Sequence, residues 1–122
     1  MTQNKLMELV VRIEQKTMSD TLAWEATADQ NAFQTTLANY VVRIREHNEL
    51  DEPEPDYEIK IIDKDGATLE SISNVDLNNI YKIMEPQPKR HPYQMMVAIF
   101  KKAKRQVLGV DKAIDSILSE LE

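Results

Sequence analysis

No cysteine occurs in the chain, so disulfides, thiolate metal sites and cysteine nucleophiles are excluded together. Glycine is nearly as scarce, with Gly66 and Gly109 the only two. A phosphate-cradling loop needs several glycines so that backbone N–H groups can approach the ligand, which removes the familiar nucleotide-dependent kits. Histidine is limited to His47 and His91. Neither stands in a recognisable nucleophile and base constellation, and both read as exposed loop residues. Long apolar runs are missing as well. Nothing approaches the roughly 18 residues of a membrane span, and no signal-like segment follows the N-terminus, so a cytoplasmic protein with no membrane attachment is expected.

What is present suits one packed core. The 122 residues are 42% hydrophobic and 30% charged, which fits a single domain over residues 1–122 and not a disordered chain. A formal net charge of −6 favours solubility and opposes general nucleic-acid binding. Its distribution is more telling than its sum. Between Lys82 and Arg105 stand Lys82, Lys89, Arg90, Lys101, Lys102, Lys104 and Arg105 against Glu85 alone, a local charge of +6. Between Glu46 and Glu58 stand Glu46, Glu49, Asp51, Glu52, Glu54, Asp56 and Glu58 with no Lys or Arg, a local charge of −7.

Periodicity supplies the elements. Leu6, Leu9, Val10 and Ile13 recur at helical spacing, predicting a first helix from Thr2 to Lys16. A short strand around Trp24 follows, then strands over Phe33 to Leu37 and Tyr40 to Arg45, with Ala38 and Asn39 as a two-residue hairpin turn. Pro53 and Pro55 make the acidic stretch a solvated loop, because proline lacks the donor a central strand needs. Tyr57, Ile59 and Ile61 alternate with Glu58, Lys60 and Ile62; Asp65 and Gly66 then turn the chain into Ala67 to Ile72, where Leu69 and Ile72 are apolar. Ser73 and Asn74 suit a helix start before Val75 to Ile80. Pro86, Pro88 and Pro92 interrupt any helix from Tyr81 to Tyr93. Beyond them Met96, Val97, Phe100, Ala103 and Val107 form a stripe closed by Gly109, and Val110, Ala113, Ile114, Ile117, Leu118 and Leu121 form another, with Asp111 as a candidate cap. The expected fold is α+β: an N-terminal helix, an antiparallel four- to five-stranded meander, and C-terminal helices covering one face. The last helix is expected to pack on its own sheet in preference to a second subunit.

The segment Leu22, Ala23, Trp24, Glu25, Ala26, Thr27, Ala28, Asp29, leading to Phe33, and the tail Leu108, Gly109, Val110, Asp111, Lys112, Ala113, Ile114, Asp115 with Ile117, Leu118 and Leu121 resemble a group of small bacterial single-domain proteins of undefined function. These residues are strand, turn and cap positions. The resemblance implies the helix, sheet, helix arrangement and no catalytic residue.

Three functional classes remain. Lys101, Lys104 and Arg105 fall at i, i+3 and i+4 and share a helix face; with Lys89 and Arg90 they are the candidate partner-binding residues. They suit an acidic protein partner or self-association, the leading reading being a non-enzymatic interaction module steered by charge. Nucleic acid on the same ridge is the alternative, and a small enzyme with a spatially assembled carboxylate pair the third. No cofactor or catalytic residue is called for. Asp63, Asp65 and Gly66 lack the ligand spacing of a calcium loop, so no metal site is expected. Trp24, Tyr93, Met95 and Met96 are expected in the core.

Overall fold

The computed structural model describes residues 2–48 and 53–122. Helix α1 (Thr2–Met18) precedes five strands, β1 (Glu25–Ala26), β2 (Ala32–Leu37), β3 (Tyr40–His47), β4 (Asp56–Ile62) and β5 (Thr68–Ser73). Helices α2 (Asn74–Ile83), α3 (Pro92–Leu108) and α4 (Val110–Glu120) complete the chain. The strands form one antiparallel sheet in the order β1-β2-β3-β4-β5, an uninterrupted meander of α+β class. Among the described residues, no helix is long and apolar enough to cross a membrane.

Local chemistry explains the elements. Ala38 and Asn39 both take positive φ, 52° and 69°, the geometry of a two-residue turn whose twist matches that of the flanking strands. Between β4 and β5 the Asp63 carboxylate accepts the backbone N–H of Asp65 and of Ala67, and Gly66 takes φ 87°. Ser73 caps α2 reciprocally: its hydroxyl accepts the Asp76 N–H while the Asp76 carboxylate accepts the Ser73 N–H. Pro92 opens α3 at the position where its missing N–H costs nothing, and Gly109 ends it at φ 65°.

One sheet face is covered. Phe33, Val42, Ile44, Tyr57, Ile59 and Ile72 point from the strands into Met95, Met96, Ile99, Phe100 and Ala103 of α3, with Leu77 and Ile80 from α2 and Met7, Val10 and Ile13 from α1 completing the core. Phe100 lies 5.4 Å from both Phe33 and Tyr57, ring centre to ring centre, so one side chain of α3 bridges two strands. Trp24 is buried, its indole N–H donating to Thr17 Oγ1 at 3.1 Å.

Several expectations are corrected. The strands reach further into the acidic stretch than expected: Glu46 and His47 extend β3 and Asp56 opens β4, whereas Glu49, Asp51 and Glu52 lie outside the described residues. An irregularity between Ile61 and Ile62 shifts the pleat, so Ile62 is buried where alternation favours Ile61. Leu69 is exposed. Asp111 does not cap α4; Gly109 stands at its N-cap with no side-chain hydrogen bond. Most consequentially, α4 does not pack on the sheet. It touches α3 alone and buries none of its residues.

Candidate functional site

The basic residues divide on inspection of their partners. Helical spacing puts Lys101 and Arg105 on the outward face of α3 and Lys104 at its flank, opposite the buried Met96, Ile99 and Ala103. Arg105 reaches forward to Asp111 at 2.6 Å and so ties the end of α3 to the start of α4. Lys102 holds Asp20 at 3.3 Å. Arg90 is committed to Glu14, a carboxylate buried on α1, at 2.8 Å, and anchors the proline-rich connection between α2 and α3. Lys89, Lys101 and Lys104 make no ion pair among the described residues. The five candidate positions therefore do not act alike: Arg90 and Arg105 brace the fold, and Lys101 and Lys104 remain as an exposed pair. No ion pair among the described residues joins this basic segment to the acidic one.

Helix α4 follows α3 directly through Gly109. Its stripe of Ile114, Ile117, Leu118 and Leu121 is open to solvent, Ile117 at 59% and Leu121 at 77% of full exposure, and Leu108 before it stands at 63%. Asp111 and Asp115 border one edge of the stripe and Glu120 the other, with Lys112 on the far side. The apolar face of α4 is thus acid-rimmed, in direct contrast to the lysines of α3.

The uncovered face of the sheet carries a second charged surface. Arg43, Arg45 and His47 alternate with the core residues Val42 and Ile44, so the pleat sends all three outward. Arg43 faces Lys60 across the β3/β4 ladder, and Arg45 faces Glu58. The loop before β2 folds over this face, where Arg45 Nε donates to Asp29 Oδ2 at 2.7 Å. Arg45 Nη1 also donates to His47 Nδ1 at 2.6 Å, leaving the opposite ring nitrogen toward Glu58 Oε1 at 3.4 Å. Arginine is only a donor, so His47 satisfies both contacts as the neutral tautomer protonated at Nε2. Ser71 donates to Glu58 at 2.7 Å. A concavity of about 380 Å³ opens over these groups.

Its carboxylates are stabilised as anions. The hydrogen bond from Arg45 is the main reason that Asp29 ionises below the usual carboxylate range, helped by the Asn31 N–H. For Glu58 burial pushes upward most strongly, but the hydrogen bonds from Ser71 and His47 together with the charge of Lys60 outweigh it, and the net shift is downward. A carboxylate pair for general acid and base work needs one member raised, and these two are both lowered. Among the described residues no group of three or more His, Cys, Asp or Glu is placed to hold a metal ion.

Neither histidine is a simple exposed loop residue. His47 belongs to a strand network, and His91 caps α3, its Nδ1 accepting the Tyr93 N–H at 3.3 Å while its ring packs 5.1 Å from Tyr81. The outward residues Arg43, Arg45, Glu58 and Lys60 were visible in the alternation of their strands; what no sequence period reveals is the loop that makes a concavity above them. Fold and surfaces together define a small meander domain bearing an exposed amphipathic helix. The chain matches no family model, no curated protein and no solved structure, so its own geometry carries the functional argument.

Proposed function

We propose that this protein is a non-enzymatic interaction module that associates with a second copy of itself, each copy laying α4 on the basic outer face of the other's α3. The observation that carries this reading is the uncovered stripe of α4. An isolated helix needs about 12–15 residues to be even marginally stable in water, and α4 has 11, none of them buried. Coverage of Ile114, Ile117, Leu118 and Leu121 supplies the missing stabilisation.

Charge selects the occupant. Pairing α4 with α4 sets like-charged acidic rims together, which is unfavourable, and an anionic lipid surface would repel the same rim. The exposed Lys101 and Lys104 supply the complementary charge, and their methylene stems offer apolar cover. Reciprocal docking is isologous and closes as a dimer. It doubles the contact made by one helix on one face, and a specific interface needs about 1,000 Å² or more. Nucleic acid suits the ridge less well, since Asp111 already pairs with Arg105 and the chain carries −6 overall.

Sedimentation velocity over the micromolar range tests the proposal. The full chain should populate a dimer whose fraction rises with concentration, and Ile117→Asp should remain a folded monomer, because Ile117 is exposed within one copy. A wild-type monomer at every concentration, or an Ile117→Asp chain that dimerises equally well, overturns it. So does retardation of DNA at low salt by a chain that stays monomeric.

A further inference from the structure

The concavity on the open face of the sheet holds an arrangement the interaction reading does not use. Arg43 on β3 and Lys60 on β4 are direct cross-strand neighbours, a like-charge pair that destabilises a sheet unless an anion lies between. No carboxylate pairs with Arg43 among the described residues. Its Nε and Nη2 both donate to one neutral acceptor, Gln34 Oε1, at 3.3 and 2.9 Å, which leaves three of its five N–H groups unused. Lys60 stands 3.8 Å from Glu58, inside ion-pair range and beyond hydrogen-bond range, so its three donors are open too.

The acceptors are the opposite case. Asp29 takes Arg45 and the Asn31 N–H, and Glu58 takes Ser71 and faces His47. Donors are therefore in surplus where acceptors are already used, and what completes the site is a group rich in acceptors. Among the described residues Arg43 and Lys60 are the lining cations that hold no carboxylate at hydrogen-bond distance, and the engaged acids Asp29 and Glu58 stand in the same lining. Two cations beside two anions suit a ligand of low negative charge. A doubly charged phosphate would bring its second charge against the two acids, whereas a carboxylate presents two oxygens in the plane that a guanidinium fork prefers. The methyl groups of Ala28 and Ala32 line the same space, and about 380 Å³ is within the range of small-molecule sites.

We propose that this concavity binds a small monocarboxylate, its oxygens placed between the Arg43 guanidinium and the Lys60 ammonium and its carbon skeleton against Ala28 and Ala32. Binding relieves the cross-strand repulsion and uses donors the fold leaves idle. The site lies on the sheet face opposite the helices, so its occupancy and the α4 association are separate properties.

Titration of the isotopically labelled full chain with acetate, butyrate and benzoate, at ionic strength held constant with chloride, tests this. The Arg43 side-chain N–H resonance and the amides of β3 and β4 should shift saturably, more tightly for the larger carboxylates. Arg43→Gln should weaken the response about tenfold and Lys60→Gln several-fold, the scale of losing one charge-assisted contact. Arg12→Gln, on the solvent face of α1, should leave it unchanged. The unperturbed amide spectrum of the α1 to α3 core verifies that each variant is folded, and butyrate should raise the melting temperature of the wild type and of Arg12→Gln more than that of Arg43→Gln. No saturable shift beyond that of chloride, an undiminished response in folded Arg43→Gln, or saturation by inorganic phosphate alone overturns the proposal.

Discussion

Arg90 and Lys101 look alike in the sequence, two cations in a basic segment, and the structure gives them opposite burdens. Arg90 satisfies the buried carboxylate of Glu14, whereas Lys101 projects into solvent. Replacing Arg90 by Ala strands Glu14 without its partner and should cost about 1 to 3 kcal/mol in urea unfolding, while Lys101→Glu should stay within about 0.5 kcal/mol of wild type. Equal effects would contradict this division. Asp29 and Glu58 set the acid limb of stability. Both ionise at lower pH in the fold than their ordinary 3.8 and 4.5, so the unfolded chain takes up protons first as pH falls. Their contribution is complete above those ordinary values and is lost as pH drops through the lowered ones. Unfolding free energy followed from about pH 6 to about pH 3 should therefore fall more steeply for wild type than for Asp29→Asn/Glu58→Gln, and parallel slopes would refute the assignment. Such pairings are spatial. Glu14 and Arg90 are far apart in sequence, and nothing in the spacing of either announces the other.

At the scale of elements, turn and cap chemistry was the most legible part. Asp65 with Gly66, Ser73 before α2, and Gly109 after α3 all do locally what their side chains or backbone freedom dictate. The Ala38 and Asn39 turn is the compromise, since alanine pays a conformational cost at φ 52°. Ala38→Gly should raise stability by roughly 0.5 to 1 kcal/mol, the left-handed strain removed outweighing the added freedom of the unfolded chain. A loss in the same denaturation assay would show that the turn is not strained there. The limits of sequence reading are equally physical. A hydrophobic stripe states that a helix face will be covered and not by what, which is why α4 read as a cover for its own sheet. Likewise the irregularity at Ile61 and Ile62 changes which side chain is buried without changing composition at all.

Taken as a whole molecule, the chain segregates its surfaces. The helices close one side of the meander around a single aromatic and aliphatic core, the other side of the sheet presents a donor-rich concavity, and the C-terminal helix leaves the body with its apolar face bare. No ion pair among the described residues joins the acidic and basic segments seen along the sequence. The rim of α4 adds acids of its own, opposite in sign to the exposed lysines of α3.

A charge exchange across the proposed interface tests the central claim most directly. Lys101→Glu/Lys104→Glu and, separately, Asp115→Lys/Glu120→Lys should each dissociate the dimer in sedimentation velocity at low salt. An equimolar mixture of the two chains should restore the dimer, because each α4 then meets an α3 of opposite charge, and one chain carrying all four changes should regain the dimer with reversed polarity. Self-association that ignores all four substitutions, or that the combined chain fails to recover while remaining folded, would contradict the account.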